Sequence, residues 1–463
     1  MASAQLSEPR QQTFKDPAFK EQLQRLRRTD NVTNLFYLGR IYLYFLLVIG
    51  AAVWFDMHRA KAGWSFWWNL PVGIVTIILV GAGQHQLSGL AHEGVHHILF
   101  RNRWFNDLAS DLLCMFPLFS TTHHYRLQHL AHHQFVNDPE RDPDVSQLQT
   151  SGHWLDFPVS KRFFLWTLLK QLWLPNLVRF IRIRAAYNAT GTDKNPYARK
   201  NSKASKIGVR VGAVYLLLQV AALTGLTWYG DPLWLAVVPA LLWAVGVVVF
   251  LRLPASCFHQ SRVHPVIPQP AASILRMTFL TLEFAALAWI TWASGRWAAV
   301  YYFFYWLVPL FTSFAFFMIL RQLVQHGNGG RGWLTNTRVF LLRPFIRFSV
   351  FPIGQDYHLP HHLFATAPHY RLYKLHQLLM EYPEYRQEAV VVEGYFLPPH
   401  TPQNRPTVLD VLGPDYAPRD RSEVHIDNTV LEDDVVEEKA EIMRQGELEK
   451  RRVAELADAQ SAG

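Results

Sequence analysis

The sequence predicts an all-α, polytopic membrane protein of about four to six transmembrane helices with a helical cap. Half of the 463 residues are hydrophobic, and they are gathered in long runs rather than spread evenly. Six runs approach the ~20 apolar residues that a spanning helix needs. Tryptophan and tyrosine are frequent near the ends of these runs, as in the aromatic belts of membrane proteins. A set of separate soluble domains is therefore excluded as the fold class.

The six apolar runs are joined by connections of very different length. The N-terminal segment, residues 1–34, is polar and basic and has no signal-peptide pattern. A Gly-Asp-Pro turn joins the third run to the fourth, and Ser-Gly-Arg joins the fifth to the sixth, so each pair is predicted to be a helical hairpin. The runs cover residues 35–55, 70–90, 207–228, 233–251, 274–293 and 297–320.

A long connection, residues 91–206, separates the second run from the third. Its segment 163–183 is apolar but is interrupted by Lys170, Pro175 and two arginines. We interpret this segment as a helix that lies on the membrane surface. The alternative is a seventh span.

Six spans place the N-terminus, the long connection, the 252–273 loop and the C-terminus on one side of the membrane. That side carries most of the lysine and arginine residues, including Arg101, Arg103 and Lys161. The excess of positive charge predicts that this side, and with it the cap, is cytoplasmic. The net charge of +9 is explained in the same way, without nucleic acid.

Three histidine clusters fall on that same side. The first is HEGVHH at residues 92–97, the second is HLAHH at 129–133, and the third is HLPHH at 358–362. Helical spacing of i, i+3 and i+4 brings imidazoles to one face. His326 follows the sixth run. The predicted metal ligands are the histidines at nine positions: His92, His96, His129, His132, His133, His326, His358, His361 and His362.

The number of imidazoles indicates two metal ions rather than one. The two cysteines, Cys114 and Cys257, cannot form a cysteine metal knuckle, so histidine and carboxylate must hold any metal. Nine or ten imidazoles exceed the ligands of a single ion. Two irons with open positions, which activate dioxygen, would use them all, whereas zinc alone would not explain so many neutral ligands.

Five further residues near the clusters are candidates for a metal or a supporting role. They could instead have ordinary structural roles, as packed histidines, turn formers or ion-pair partners. The Asp-Pro steps of residues 137–144 are typical of turns and helix caps as much as of carboxylates that support imidazoles. These candidates are His85, Glu93, His97, Asp138 and Asp142.

The clusters resemble the histidine boxes of the membrane fatty acid desaturases and their hydroxylase relatives. The stretch AHEGVHHILFRNRWFND is similar to the first box, HLPHHLFATAPHYRL to the third box of the acyl-lipid desaturases, and QHGN after the sixth run to the additional Gln-His of the family. The resemblance covers residues 35 to about 380. Three departures are the HEGVHH form of the first box, the His-His-Leu-Phe-Ala of the third box where many members have Phe-Pro, and six runs where four are usual.

The resemblance implies a desaturase-like domain at residues 35–400, between the polar segment 1–34 and a charged tail, 401–463, that is helical or disordered. It also implies two iron ions as cofactors, dioxygen as co-substrate and a fatty-acyl lipid as substrate. The electrons would come from a separate ferredoxin, or from cytochrome b5 with a reductase. The expected location is the bacterial cytoplasmic membrane, with the boxes on the cytoplasmic side.

Two alternatives remain open on the sequence alone. A hydroxylase or ketolase of a lipid, alkane or carotenoid would use the same boxes. A metal transporter or sensor would need ionisable residues within the spans, and few are present besides Arg40, Arg210 and Glu283. In the desaturase hypothesis no histidine acts as a base, and the protein contributes the positions of metal and substrate.

Overall fold

Six long helices form the membrane part of the protein, as the sequence predicts. The computed structural model describes residues 16–190, 195, 197, 204–330 and 332–416. Within this part, six helices are long and apolar enough to cross a membrane. They are α2 Thr33–Lys61, α3 Asn69–Val95 with a preceding short turn from Phe66, α9 Ile207–Tyr229, α10 Pro232–Arg252, α11 Gln269–Ser294 and α12 Ala298–Gln325.

The remaining helices are short and belong to the cap or to its connections. Those before the third span are α1 Pro17–Arg27, α4 Arg103–Ser110, α5 Thr122–Gln134, α6 Pro143–Ser151, α7 Lys161–Gln171 and α8 Leu174–Thr190. Those after the sixth are α13 Pro344–Val350, α14 His358–Leu363, α15 Leu372–Leu379, α16 Pro383–Glu388 and α17 Val408–Val411.

The hairpin α9–α10 shows how local sequence ends one span and starts the next. Gly230 caps α9 with φ +83°, a left-handed conformation that glycine adopts without strain. Asp231 accepts a hydrogen bond from the backbone N–H of Leu233, and Pro232 occupies the first turn of α10. The predicted tight turn is confirmed in both its position and its chemistry.

The segment 163–183 is divided between two helices rather than forming one. Helix α7 ends at Gln171 and α8 begins at Leu174, and neither is among the six candidate spans. Large apolar side chains such as Trp166 and Trp173 are exposed on the pair. This agrees with helices that lie on a membrane surface and not with a seventh span.

The cap also contains one element that the sequence analysis did not predict. Strand β1, Arg338–Leu341, pairs in parallel with β2, Val390–Glu393, so that Arg338 lies opposite Val390. Two short strands leave the all-α fold class unchanged. Because β1 lies between His326 and the third histidine cluster, the sheet helps to fix the path of the chain between them.

Both ends of the described chain pack against the cap. Phe19 and Leu23 of α1 are buried in an apolar cluster that includes Phe364, just after the third histidine cluster. Val408 and Val411 of α17 are buried in the largest core cluster. We therefore propose that the desaturase-like domain extends to about residue 416. Residues 1–15 and the tail from 417 lie outside the described residues.

Candidate metal centre

The first histidine cluster lies at the end of the second span that is predicted to face the cytoplasm. His92 is in the last turn of α3, and His96 is the residue that caps this helix. His97 has φ +57°, so the chain turns sharply there. One helix end thus presents His92 and His96 together, with ring centroids 5.0 Å apart, and directs His97 elsewhere.

The second and third clusters lie on two cap helices. His129, His132 and His133 are in the last two turns of α5. The third cluster forms nearly the whole of α14, which begins at His358 after a 3₁₀ turn over Gln355–Tyr357. Pro360 lies in the first turn of α14, where a proline is tolerated.

The nine predicted ligands converge into two adjacent groups. In each group, one ligand atom per residue lies within 4.8 Å of all the others, and both groups contain only histidine among the described residues. The five-histidine group consists of His92, His96, His129, His133 and His361. The four-histidine group consists of His132, His326, His358 and His362.

The i, i+3, i+4 clusters are divided between the groups in opposite ways. From α5, the i and i+4 residues His129 and His133 join the five-histidine group, and His132 joins the other. From α14, His361 joins the five-histidine group, while His358 and His362 join the other. Each group is therefore built from several distant segments of the chain.

Some Nε2 atoms contact two other Nε2 atoms of the same group at hydrogen-bond distance. In the four-histidine group the contacts are 3.2 Å for His132–His326, 3.0 Å for His326–His358 and 3.1 Å for His358–His362. A neutral ring nitrogen has either one proton or one lone pair, so it cannot make two such contacts as good hydrogen bonds. A cation that accepts all four lone pairs satisfies every contact.

The same distances test which ion would fit. An ion about 2.1 Å from each nitrogen separates two ligands by about 3.0 Å at right angles, but by about 3.4 Å in a tetrahedron. In the five-histidine group, His133 Nε2 lies 2.9 Å from His129 Nε2 and 3.0 Å from His361 Nε2. These distances favour right-angled coordination over tetrahedral zinc. Five imidazoles also exceed the four positions of a structural zinc site.

Burial keeps most of these imidazoles neutral, which is the form that binds a metal. Desolvation is the largest cause that lowers the pKa of His129 and His361 well below the ordinary value, and neighbouring imidazoles add to it. The same holds for His326 and His358 in the other group. A cluster of uncharged nitrogens in a dry pocket is therefore ready to receive a cation.

His132 differs because a carboxylate faces it. Its Nδ1 lies 3.0 Å and 3.1 Å from the two Asp142 oxygens. Burial lowers the pKa of His132, but the Asp142 carboxylate outweighs that effect and raises it to about 9. Asp142 also accepts hydrogen bonds from the backbone N–H groups of Asn137 and Asp144. Asp142 therefore caps a helix and also supports a histidine ring. Both roles that the sequence left open for this segment apply to this residue.

Two polar contacts at the histidine groups were not predicted from the sequence. The Gln355 side chain lies 3.1 Å from His92 Nδ1. The backbone carbonyl of Asn336 lies 3.0 Å from His326 Nδ1. Neither partner has a sequence signal beyond its proximity to a histidine. A backbone acceptor cannot be identified without a structure.

The other candidate residues lie outside both groups. His85 Nδ1 contacts the carbonyl of Ser349 at 2.7 Å, and Glu93 accepts a hydrogen bond from the backbone N–H of His369 at 2.9 Å. Asp138 pairs with Arg141 at 2.6 Å in the turn before α6. These three candidates have structural contacts rather than positions among the converging nitrogens.

His97 joins a buried ion pair instead of the metal groups. Its Nδ1 lies 3.4 Å from Asp107, and Asp107 pairs with Arg126 at 2.6 Å. Arg126 also donates to the backbone carbonyls of Gly94 and Val95, at 2.9 Å and 2.8 Å. The pair therefore fixes α5, which carries the second cluster, to the end of α3, which carries the first. Sequence reasoning missed Arg126 because one buried arginine in a polar segment gives no pattern.

One cavity borders the histidine groups and another lies near them. A small one of about 30 Å³ borders His132, His326 and Gln322 and has room for one water molecule. A large one of about 660 Å³ lies between α9, α11 and the cap, with apolar walls that include Leu280, Phe314 and Met318. Tyr125 also lines the large cavity, and its ring centroid is 5.7 Å from that of His129.

Comparisons with known proteins match one family over most of the chain. The model of the fatty acid desaturase family matches residues 65–260 and 256–392. Dihydrorhizobitoxine desaturase of Bradyrhizobium elkanii is 23% identical over 393 residues, which cover 83% of this chain and 85% of the relative.

Two relatives named for fatty acids match shorter stretches. The Delta(5) fatty acid desaturase fat-4 of Caenorhabditis elegans is 41% identical over 68 residues, 15% of each chain. The omega-6 fatty acid desaturase, endoplasmic reticulum isozyme 1, of Glycine max is 26% identical over 217 residues, 43% of this chain and 50% of the relative.

Proposed function

This chain belongs to the fatty acid desaturase family, and from that premise we propose that it holds two iron ions and desaturates a fatty-acyl chain. As a member of this family it is a membrane oxidoreductase that uses dioxygen. The five-histidine group would hold one iron and the four-histidine group the other. The substrate chain would occupy the large cavity.

The observation that carries the proposal is the convergence of nine buried imidazoles into two adjacent groups. Nitrogen–nitrogen distances near 3.0 Å suit an ion with right-angled ligands. Nitrogen ligands in such numbers suit iron, which can keep positions open for dioxygen. A single tetrahedral zinc would leave more than half of these imidazoles unused.

The iron pair, when bound, supplies the redox chemistry that removes hydrogen from an unactivated carbon. The balanced reaction converts two neighbouring methylenes, one dioxygen, two electrons and two protons into a double bond and two waters. The histidines act as neutral ligands and not as bases. Asp142 and the Asn336 carbonyl accept N–H bonds from ligand rings and thereby fix their orientation.

The cavity would position the acyl chain and exclude water. Its apolar walls suit methylenes, and Tyr125 connects it to the five-histidine group. A chain held rigidly beside the metal pair exposes only certain carbons to it, which would determine the bond position. The Bradyrhizobium relative is named for dihydrorhizobitoxine and two others for fatty acids. The shared family and the cavity support the fatty-acyl assignment.

The electron donor would be a separate protein, ferredoxin or cytochrome b5 with a reductase, that docks on the cap. The cap would face the cytoplasm of a bacterium. Basic residues such as Arg101 and Lys161 on the cap side support this orientation. The long match to a bacterial protein supports the bacterial membrane.

Expression in a host with a simple lipid profile, followed by mass spectrometry of the lipids, tests the function. We expect a new carbon–carbon double bond that requires dioxygen and disappears in His132→Ala. The variant His58→Ala is the control, because His58 stacks on Trp54 near the far end of α2. A new hydroxyl group instead of a double bond would replace the desaturase by a hydroxylase. No product with a supplied electron donor would contradict both.

A further inference from the structure

The large cavity has one polar end, which none of the groups described so far accounts for. Its lining includes Thr121, His123 and His124 at the start of α5, and Arg276 near the start of α11. These residues lie outside both histidine groups. The lining also includes Asp111, Asn188 and Gln269, although most of the wall surface is apolar. The polar side chains at the start of α5 therefore require a separate explanation.

The hydrogen bonds around His123 determine which of its ring nitrogens carries no proton. Ser261 donates its hydroxyl proton to the carbonyl of Val263 at 2.6 Å. His123 Nε2 lies 3.1 Å from the same hydroxyl oxygen and must therefore be the donor of that contact. His123 Nδ1 is then a lone-pair acceptor. It is buried and has no hydrogen-bond partner among the described residues.

One neighbouring polar atom is also buried without a hydrogen-bond partner among the described residues. It is the Thr121 hydroxyl, just before α5. A buried polar group without a hydrogen bond is costly, and few remain in a folded protein. Two such atoms in the lining of one cavity indicate a place where a ligand makes the missing contacts.

Arg276 adds a strong donor at this end. Its guanidinium donates to the carbonyl of Phe119 at 2.8 Å. Among the described residues it forms no ion pair within 4.0 Å, and the Asp111 carboxylate acts on it from farther away in the same cavity lining. Burial, then His259 and then Arg276, lower the pKa of His124 to about 3, so the guanidinium is close to that ring. Its remaining N–H groups suit an acceptor oxygen.

The polar end and the five-histidine group are a fixed distance apart. His123 and His129 are six residues apart on α5, which corresponds to a rise of about 9 Å. Tyr125 lies between them and borders the cavity. A molecule anchored at the polar end would therefore present a constant part of its chain to the metal groups.

We propose that this polar end binds the head group of the substrate lipid, a neutral group with both an acceptor oxygen for Arg276 and an N–H or O–H donor for His123. A primary amide and a hydroxyl-bearing ester both meet this requirement, whereas a hydrocarbon meets neither part. The proposal rests on the proposed function only in that it calls the bound lipid the substrate.

Binding to purified full-length protein in lipid nanodiscs tests the proposal without turnover. The probes are tritiated dodecane, methyl laurate, lauramide and monolaurin, compared at equal mole fraction in the membrane. We expect lauramide or monolaurin to bind about tenfold more tightly than methyl laurate, because only they donate to His123. Dodecane should bind most weakly. Equal binding of all four probes, or none, would overturn the proposal.

Three variants locate the contact. His123→Phe should abolish the advantage of lauramide and monolaurin over methyl laurate. Arg276→Gln should weaken all three oxygen-bearing probes towards dodecane. The matched control is Arg252→Gln, since Arg252 is exposed at the end of α10 and does not line the cavity. An unchanged preference in His123→Phe would contradict the assignment, and the comparison of probes on the unmodified protein needs no variant.

Two glycine substitutions on α9 test whether the probe lies in the cavity, independently of the head-group contact. A Cβ at Gly212 of α9 would meet only Phe250, at 3.9 Å, so Gly212→Leu should fill the cavity without disturbing the fold. Gly225→Leu on the same helix has open space around it and is the control. We expect only Gly212→Leu to reduce lauramide binding, about tenfold. Equal effects would place the probe elsewhere.

The binding assay and the lipid analysis can fail independently, so they distinguish the head-group site from the desaturase function. Selective lauramide or monolaurin binding by a protein that forms no double bond would leave the head-group site standing and remove the desaturase assignment. Double-bond formation with no head-group preference would do the reverse.

Discussion

The two histidine groups lie side by side but hold their rings in different ways. In the four-histidine group, Asp142 faces Nδ1 of His132 and the Asn336 carbonyl faces that of His326. Each group also has two rings whose Nδ1 is buried without a hydrogen-bond partner among the described residues: His133 and His361 in the five-histidine group, His358 and His362 in the four-histidine group. The difference lies in the partners of the other rings, because a carboxylate and a backbone carbonyl face two rings of the four-histidine group, whereas the side-chain amide of Gln355 faces His92 in the five-histidine group.

In the five-histidine group, a side chain outside the group holds the backbone that carries two of the ligands. Arg126 donates to the carbonyls of Gly94 and Val95, between the two ligands of the first cluster, and pairs with Asp107. Loss of a polar side chain should therefore disturb the four-histidine group by releasing a ligand ring. It should disturb the five-histidine group by loosening the end of α3, which carries two of its ligands. Five substitutions test this, from the largest expected effect to the smallest.

Neighbouring histidines that join different groups provide the strongest test. His361→Ala removes a ligand from the five-histidine group and His362→Ala one from the four-histidine group. We expect each to lower the iron content from two ions per chain towards one and product formation by more than about 100-fold, beyond the effect of losing a supporting residue. His376→Ala is the control, because His376 bonds to Tyr385 outside both groups. Two irons retained in either ligand variant would contradict the grouping.

Asp107→Asn tests the backbone support of the five-histidine group. It leaves the guanidinium of Arg126 buried without its carboxylate, which should lower the free energy of unfolding by about 3 kcal/mol. Thermal unfolding in nanodiscs measures it. The exposed pair Arg25–Glu21 provides the control, since Glu21→Gln removes a surface contact that contributes little. A loss no larger than that of Glu21→Gln would contradict a supporting role.

The same substitution has a predicted pH dependence. Burial raises the pKa of Asp107, but Arg126 and His97 outweigh this and hold it well below the ordinary value. A depressed folded-state pKa stabilises the protein above the unfolded-state value of about 3.9, and this is lost as the pH falls towards the folded-state value. The stability difference between the wild type and Asp107→Asn should therefore be constant from pH 7 to 5 and shrink below pH 4. A difference that grows in acid would contradict the ion pair.

Asp142→Asn tests the four-histidine group alone. Loss of the carboxylate beside His132 should weaken iron binding in that group about 10- to 100-fold and leave the other group unchanged. Titration with a chelator, followed by iron analysis, measures the two affinities. Asp138→Asn is the matched control, because Asp138 caps the same loop and pairs with Arg141. Equal loss of both irons would show that Asp142 does not distinguish the groups.

Gln355→Ala should have the smallest effect. It removes a contact to His92 worth about 1 kcal/mol, so iron affinity in the five-histidine group should fall about fivefold. The control is Gln403→Ala, an exposed glutamine that bonds to the carbonyl of Arg405. If Gln355→Ala weakens the four-histidine group instead, the division of the rings between the groups is wrong.

Much of this structure could be predicted from the sequence because its signals are local. Apolar runs of spanning length gave the six helices, and a Gly-Asp-Pro turn gave the hairpin at Gly230. The same holds for the convergence of the clusters, since helical spacing and an even number of spans place them together. These features depend on periodicity and length, which one sequence displays.

The division of the clusters could not be predicted, because it depends on how distant segments meet. Spacing places His129, His132 and His133 on one helix face, but only the positions of α3 and α14 decide that His132 joins His326. The left-handed turn at His97 and the pairing of Arg126 with Asp107 likewise arise from tertiary contacts. Their residue types have several ordinary roles in a polar cap.

The central claim is that two irons are bound, one in each histidine group. Anomalous X-ray diffraction from crystals of the purified protein, collected on both sides of the iron absorption edge, tests it most directly. We expect two iron peaks, one among His92, His96, His129, His133 and His361 and the other among His132, His326, His358 and His362. A single peak, or peaks that follow the zinc edge, would contradict the claim.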